Sequence, residues 1–137
     1  MPDDVLLNKV AVIERCLARI REEYQNHETE LTTNFTRQDS IILNLLRTCE
    51  ATIDIAIHLV RVNRLGIPQD SRDAFSLLNQ AGLIPGELSL RLQAMVGFRN
   101  IAIHDYQKLN IDIIRSVLSK HLVDFEAYCQ SLLSPDQ

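Results

Sequence analysis

Tryptophan is absent from the 137-residue sequence, and glycine and proline number only four each. So few chain breakers, beside a majority of Leu, Ile, Val and Ala among the apolar residues, read as a helical bundle rather than a turn-rich fold. Cysteine is scarce as well. Cys16, Cys49 and Cys129 are too scattered for a disulfide framework, and the odd count leaves one unpaired in any scheme. We expect three small buried hydrophobes in a reducing compartment. An excess of positive charge is also missing: 14 Lys and Arg stand against 18 Asp and Glu, a formal net charge of −4. Sequence-independent coating of nucleic acid needs clustered cations, so that class is excluded and any contact with RNA must be local. Finally, no apolar run approaches the roughly 20 residues of a membrane span, and the Asp3-Asp4 start lacks the positive region of a signal peptide. These absences predict a cytoplasmic protein without a membrane partner.

At this length one domain, residues 1–137, is expected, with a core large enough to hold without staples. Leu6, Val10, Ile13, Leu17, Ile20 and Tyr24 are spaced alternately by four and three, which predicts a first helix from about Asp3 to Gln25. Asn26 to Asn34 is polar and aperiodic and reads as a loop. Thr36 then caps a second helix, with Asp39 in its first turn, that continues to about Arg64 and is ended by Gly66 and Pro68. Apolar residues cover more than one face of this long segment, so it should be a central mast contacted from several sides. Asp70 or Ser71 starts a short crossing helix that Gly82 ends. A third main helix follows Pro85-Gly86 and tolerates Gly97, which suggests a close backbone approach there. Asn110 caps a fourth, and the Ser134 to Gln137 tail should fray. The expected fold is all-α, an up-and-down bundle of four main helices plus a short crossing helix.

Polar residues concentrate in the segment Arg99-Asn100-Ile101-Ala102-Ile103-His104-Asp105-Tyr106. Read by themselves, an Arg and a His near a helix end simply satisfy its last carbonyls. At 100° per residue Arg99 and His104 differ by about 140° in azimuth on an unbroken helix. For them to converge, the helix must end between them or a second protomer must supply one of the two. On the mast, Arg47, Glu50, Asp54, His58 and Arg61 recur at intervals of three or four and draw a polar stripe. They are intrahelical ion pairs on a solvated face, or the border of a cleft in which Glu50 or Asp54 orients Arg99 or His104. Arg61, Arg64 and Arg72 gather around the Gly66-Pro68 turn, as ordinary surface arginines or as contacts to an RNA backbone or an acidic partner. No Cys/His ligand spacing and no Glu-x-x-His pair is present, so neither a metal nor another cofactor is expected.

The pattern Arg-x-x-x-x-His, with Asn100 directly after Arg99 and Tyr106 two places after His104, resembles the signature of HEPN domains, and its His-x-Tyr ending resembles the HepT-type toxins among them. The segments Phe35 to Asn44, Cys49 to Ala56 and Gly66 to Phe75 are similar, in the same order, to that family's second-helix and crossing-helix regions. The resemblance implies a HEPN-like fold and a homodimer in which Arg99, Asn100 and His104 line a shared cleft, which on the cleft reading of the polar stripe Glu50 and Asp54 support. It further implies cleavage of RNA without metal, driven by the substrate's own 2′-hydroxyl. His104 would move a proton and Arg99 would hold the scissile phosphate, since a histidine titrates near neutrality and a guanidinium forks onto phosphate oxygens. Asn100 would orient His104 or touch phosphate. For Tyr106 the resemblance implies a modification site, to which a minimal nucleotidyltransferase (MNT) antitoxin transfers AMP and so excludes RNA. A non-catalytic HEPN subunit that binds nucleotide or docks a nucleotidyltransferase is the alternative, and a plain helical interaction protein stands behind both.

Overall fold

The first helix, α1, spans Asp4–Tyr24, and α2 runs for 28 residues over Phe35–Val62. Next come α3 (Ser71–Gln80), α4 (Gly86–His104), α5 (Ile111–Ser116), a π-helical turn at Val117–His121, and α6 (Leu122–Leu133). This computed structural model describes residues 3–104 and 110–133. Among them all regular structure is helical. The segments α5, π turn and α6 follow one another with right-handed helical dihedrals at each junction, so the expected fourth main helix is one rod with a bulge in it. With α3 as the short crossing piece, the architecture is the four-helix bundle predicted. None of the described helices is long and apolar enough to cross a membrane.

The helix starts are chemical. Asp3, Asn34, Asp70 and Asn110 each accept a backbone N–H two or three residues on, which satisfies one of the donors that a helix start leaves free. Asn34, not Thr36, therefore caps α2. Its neighbourhood also differs from a plain loop: Glu28–Glu30 form a 3₁₀ turn, and Leu31 is fully buried. Arg37 holds this turn by donating to the Glu23 carbonyl at 2.8 Å while lying 3.7 Å from the carboxylates of both Glu23 and Glu30. Gln38 adds a bond to the Leu31 carbonyl. At the other end, α2 stops before Gly66. Arg64 takes up a left-handed conformation (φ 53°) and the Leu65 amide closes onto the Val60 carbonyl, the motif usually given to glycine.

α1 lies antiparallel to α2, because Asp3 meets His58, Lys9 meets Asp54, and Glu23 meets Arg37. α3 is likewise antiparallel to α4: the Ser89 hydroxyl donates to the Phe75 carbonyl, and Arg72 donates to that of Gln93. α2 touches α1, α3 and α4, so its several apolar faces all find neighbours. Its buried threonines cost little, since Thr48 and Thr52 return their hydroxyls to carbonyls one turn earlier. Tyr128 of α6 closes the core, with its ring edge-on to Phe75 at 5.9 Å and its hydroxyl donated to the Thr52 carbonyl. All three cysteines are buried and unpaired. Burial pushes the Cys129 thiol up to about 11 and that of Cys49 higher still, which leaves both as inert hydrophobes.

Candidate active site

α4 is continuous from Gly86 through His104, so the 140° between Arg99 and His104 is not relieved by a break in the helix. The two side chains leave α4 in different directions. Arg99 turns inward, with 19% of its side chain exposed. Its Nη1 lies 3.3 Å from Glu50 Oε1 on α2, and its Nη2 donates to the Ser71 hydroxyl on the first turn of α3 at 3.4 Å. Three helices thus fix one guanidinium. Its Nε is buried without a hydrogen-bond partner, and Glu50 Oε1 faces it as an ion pair rather than a directional bond. A positive fork steadied by a carboxylate can meet a further anion through its Nη groups, the Nε being closed off from solvent.

His104 is the last residue of α4 and lies exposed, as does Asn100 one turn before it. The two share a face, being four residues apart. Ile101 and Ile103, each 51% exposed, flank them and leave an apolar surface around the helix end. Tyr106 lies outside the described residues.

The polar stripe on α2 divides. Glu50 joins Arg99, whereas Asp54 pairs with Lys9 of α1 at 3.0 Å and takes no part in the Arg99 cluster. His58 Nε2 donates to the carboxylate of Asp3, the cap of α1, at 2.8 Å, and Arg61 reaches back to His58 at 3.5 Å. The stripe is therefore neither a set of intrahelical ion pairs nor one continuous cleft border: Glu50, Asp54 and His58 each find an opposite charge outside α2. The arginine trio separates as well. Arg61 and Arg64 stay at the turn beside Ile67, which is 91% exposed, while Arg72 lies along α4. Gly97 admits the Arg72 guanidinium rather than a second backbone, for a Cβ there would sit 3.0 Å from Arg72 Nη2.

Sequence reasoning missed Ser71 as a partner of Arg99, and it also missed the Arg91-Asp124-His121 group. In the latter, buried Asp124 accepts from Arg91 at 2.9 Å and meets His121 at 3.0 Å. Only the π turn, which breaks the helical spacing locally, marks that group. It borders a cavity of about 270 Å³ lined by Met95, Phe98 and Phe125, on a side of α4 turned away from His104. Among the described residues no group of three His, Cys, Asp or Glu side chains is arranged to hold a metal ion.

Comparison with known proteins places this geometry. The profile of the family described as ribonuclease HepT-like matches residues 13–132. The chain is 53% identical to the mRNA nuclease HepT of Shewanella oneidensis, over 92% of this chain and 94% of that protein. Among solved structures, it superposes with a TM-score of 0.91 at 50% identity on the tri-AMPylated Shewanella oneidensis HEPN toxin in complex with MNT antitoxin, covering 97% of this chain and 99% of that one. A toxin–antitoxin complex with AMP-PNP gives the same score and identity over 96% and 99%.

Proposed function

The chain belongs to the HepT-like ribonuclease family, and from that premise we propose that it is the endoribonuclease toxin of a HEPN/MNT toxin–antitoxin pair. The observation that carries this reading is the 53% identity to an mRNA nuclease along nearly the whole of both chains. We read residues 1–137 as one domain that works as a homodimer. An unbroken α4 separates Arg99 from His104 by about 140°, and a symmetric second copy supplies the missing direction. The exposed Ile101 and Ile103 give such a copy an apolar surface to cover.

In the proposed reaction the RNA 2′-oxygen attacks the adjacent phosphorus, its proton is taken up, and the P–O5′ bond breaks as the leaving oxygen gains a proton. The products are a 2′,3′-cyclic phosphate and a 5′-hydroxyl. His104 handles one of these protons, for which an exposed imidazole at a helix end is suited. Arg99, braced by Glu50 and Ser71, stabilises charge on the phosphorane oxygens, and Asn100 shares the face of His104 toward the substrate. The reaction as drawn calls on no metal. Control follows from Tyr106: its phenolic oxygen attacks the α-phosphorus of ATP on the antitoxin and pyrophosphate leaves. The triply modified relative sets the expectation of up to three AMP groups, each later one joining a hydroxyl of the AMP already attached as a further pyrophosphate leaves. Their charge and bulk close the site to RNA.

The test compares wild type, Arg99→Ala and His104→Ala on RNA in the presence of chelator. Wild type should cut, and each variant should lose roughly 10²- to 10⁴-fold in rate. Equal cutting by all three sinks the proposal. With an MNT antitoxin and ATP, mass spectrometry should show AMP on wild type and none on Tyr106→Phe.

A further inference from the structure

Gln93, Gly97, Asn100 and His104 fall at intervals of four, three and four, so they form one stripe about 60° wide along α4. The first half of this stripe is overlain by Arg72. Its Nε donates to the Gln93 carbonyl at 3.3 Å, and its Nη2 lies 3.0 Å from where a Cβ at position 97 would sit. The second half continues past the start of α3 as the exposed Asn100 and His104. Arg72 is itself exposed, and among the described residues no carboxylate pairs with it. The two nearest acids in sequence are engaged elsewhere: Asp70 accepts the Asp73 amide and Asp73 accepts the Gln69 amide. Ser71, the residue before Arg72, holds Arg99. Both guanidinium groups are thus set by the same turn of α3, one on each side of α4.

We propose that Arg72 binds a backbone phosphate of the RNA next to the one being cleaved, held on the His104 side of α4 by the missing side chain of Gly97. This rests on the ribonuclease reading above. The distance along the axis from Gly97 to His104 is about 10 Å, so a strand whose reacting phosphate meets His104 passes Arg72 with a neighbouring one. Such a contact positions the strand and carries no base preference.

The experiment measures binding of a uniform single-stranded RNA, polyuridylate, by fluorescence anisotropy across a salt series. It uses His104→Ala protein so that binding is read without cutting, with cleavage by wild type run beside it. Adding Arg72→Ala should weaken binding about fivefold at low salt and reduce the slope of log affinity against log salt by about 0.7, the share of one phosphate on a single strand. Arg72→Lys should restore most of the slope. Gly97→Leu, whose side chain takes the space beneath the guanidinium, should weaken binding, whereas Gly97→Ala asks Arg72 Nη2 to give by only a few tenths of an ångström and should bind nearly as its parent does without lowering the unfolding temperature. An unchanged slope in Arg72→Ala overturns the assignment while wild-type cleavage leaves the nuclease reading standing. Intact RNA binding joined to loss of a co-expressed MNT antitoxin overturns it in favour of an acidic protein surface. Wild type that neither binds nor cuts RNA overturns both readings.

Discussion

Glu50 and Asp54 lie one turn apart on the same helix, carry the same charge and are similarly exposed, at 45% and 48% of their side chains. Their surroundings make them different residues. Asp54 meets a lysine on the neighbouring surface helix, a contact that water and salt screen on both sides. Glu50 sends one oxygen inward to a largely buried arginine that still has an unpartnered Nε. On the α1 side of the mast the charged groups pair with one another, as Asp3 with His58, Lys9 with Asp54 and Arg37 with Glu23 and Glu30, although the Arg37 Nε, like that of Arg99, is buried without a hydrogen-bond partner. At the end of α4 they are left open, with Asn100 and His104 exposed beside bare isoleucines. The contrast teaches that in this bundle a polar residue's role is read from what faces it and how open it stands to solvent, not from its type.

The contrast is broken most strongly at Glu50. Glu50→Gln should leave Arg99 without its counter-charge and lower RNA cleavage by roughly 10- to 100-fold, the cost of a misplaced catalytic group, with Glu50→Asp recovering part of it. Asp54→Asn is the matched control. It should cut RNA like wild type and change stability by no more than about 0.5 kcal/mol in chemical denaturation. Equal effects of the two substitutions would erase the distinction. Next in size, Tyr128→Phe should cost about 1–1.5 kcal/mol by removing the buried bond to the Thr52 carbonyl, lowering the melting temperature by several degrees while sparing cleavage.

The smaller of the two stability losses sharpens the closed side. Asp3→Ala should cost about 1 kcal/mol near neutral pH, measured by denaturation, because it removes both the cap of α1 and the partner of His58. Here the pH dependence has a defined sign. The Leu6 amide first, and then His58, hold the Asp3 carboxyl below its ordinary value of 3.8, against an opposing effect of burial. The unfolded chain therefore takes up the proton at higher pH than the folded one. Its contribution is fully present above the ordinary value and is lost as pH falls through the lowered folded value. The gap between wild type and Asp3→Ala should accordingly narrow by about pH 3.

Much of this was legible locally. The spacing of Val10, Ile13, Leu17 and Ile20 marks the buried side of α1, and Asp70 and Asn110 start their helices as cap chemistry predicts. Where two local signals were equally good, the chain alone did not choose. Asn34 and Thr36 are both competent caps, and burial of Leu31 with the Arg37 clamp decides for Asn34. The pairing of Arg99 with Glu50 and Ser71 joins residues 49 and 28 positions apart and had no signal of its own beyond the stripe on α2.

What the sequence by itself determined is the set of helices, through apolar spacing and caps that act over a few residues, and the order of polar groups from Arg99 to Tyr106. The tertiary structure alone decided which carboxylate steadies Arg99, where Arg72 is laid, and that α4 runs straight through to His104. Those outcomes depend on how helices distant in the chain pack together. Packing brings side chains within a few ångströms without leaving a repeat in the sequence to announce it.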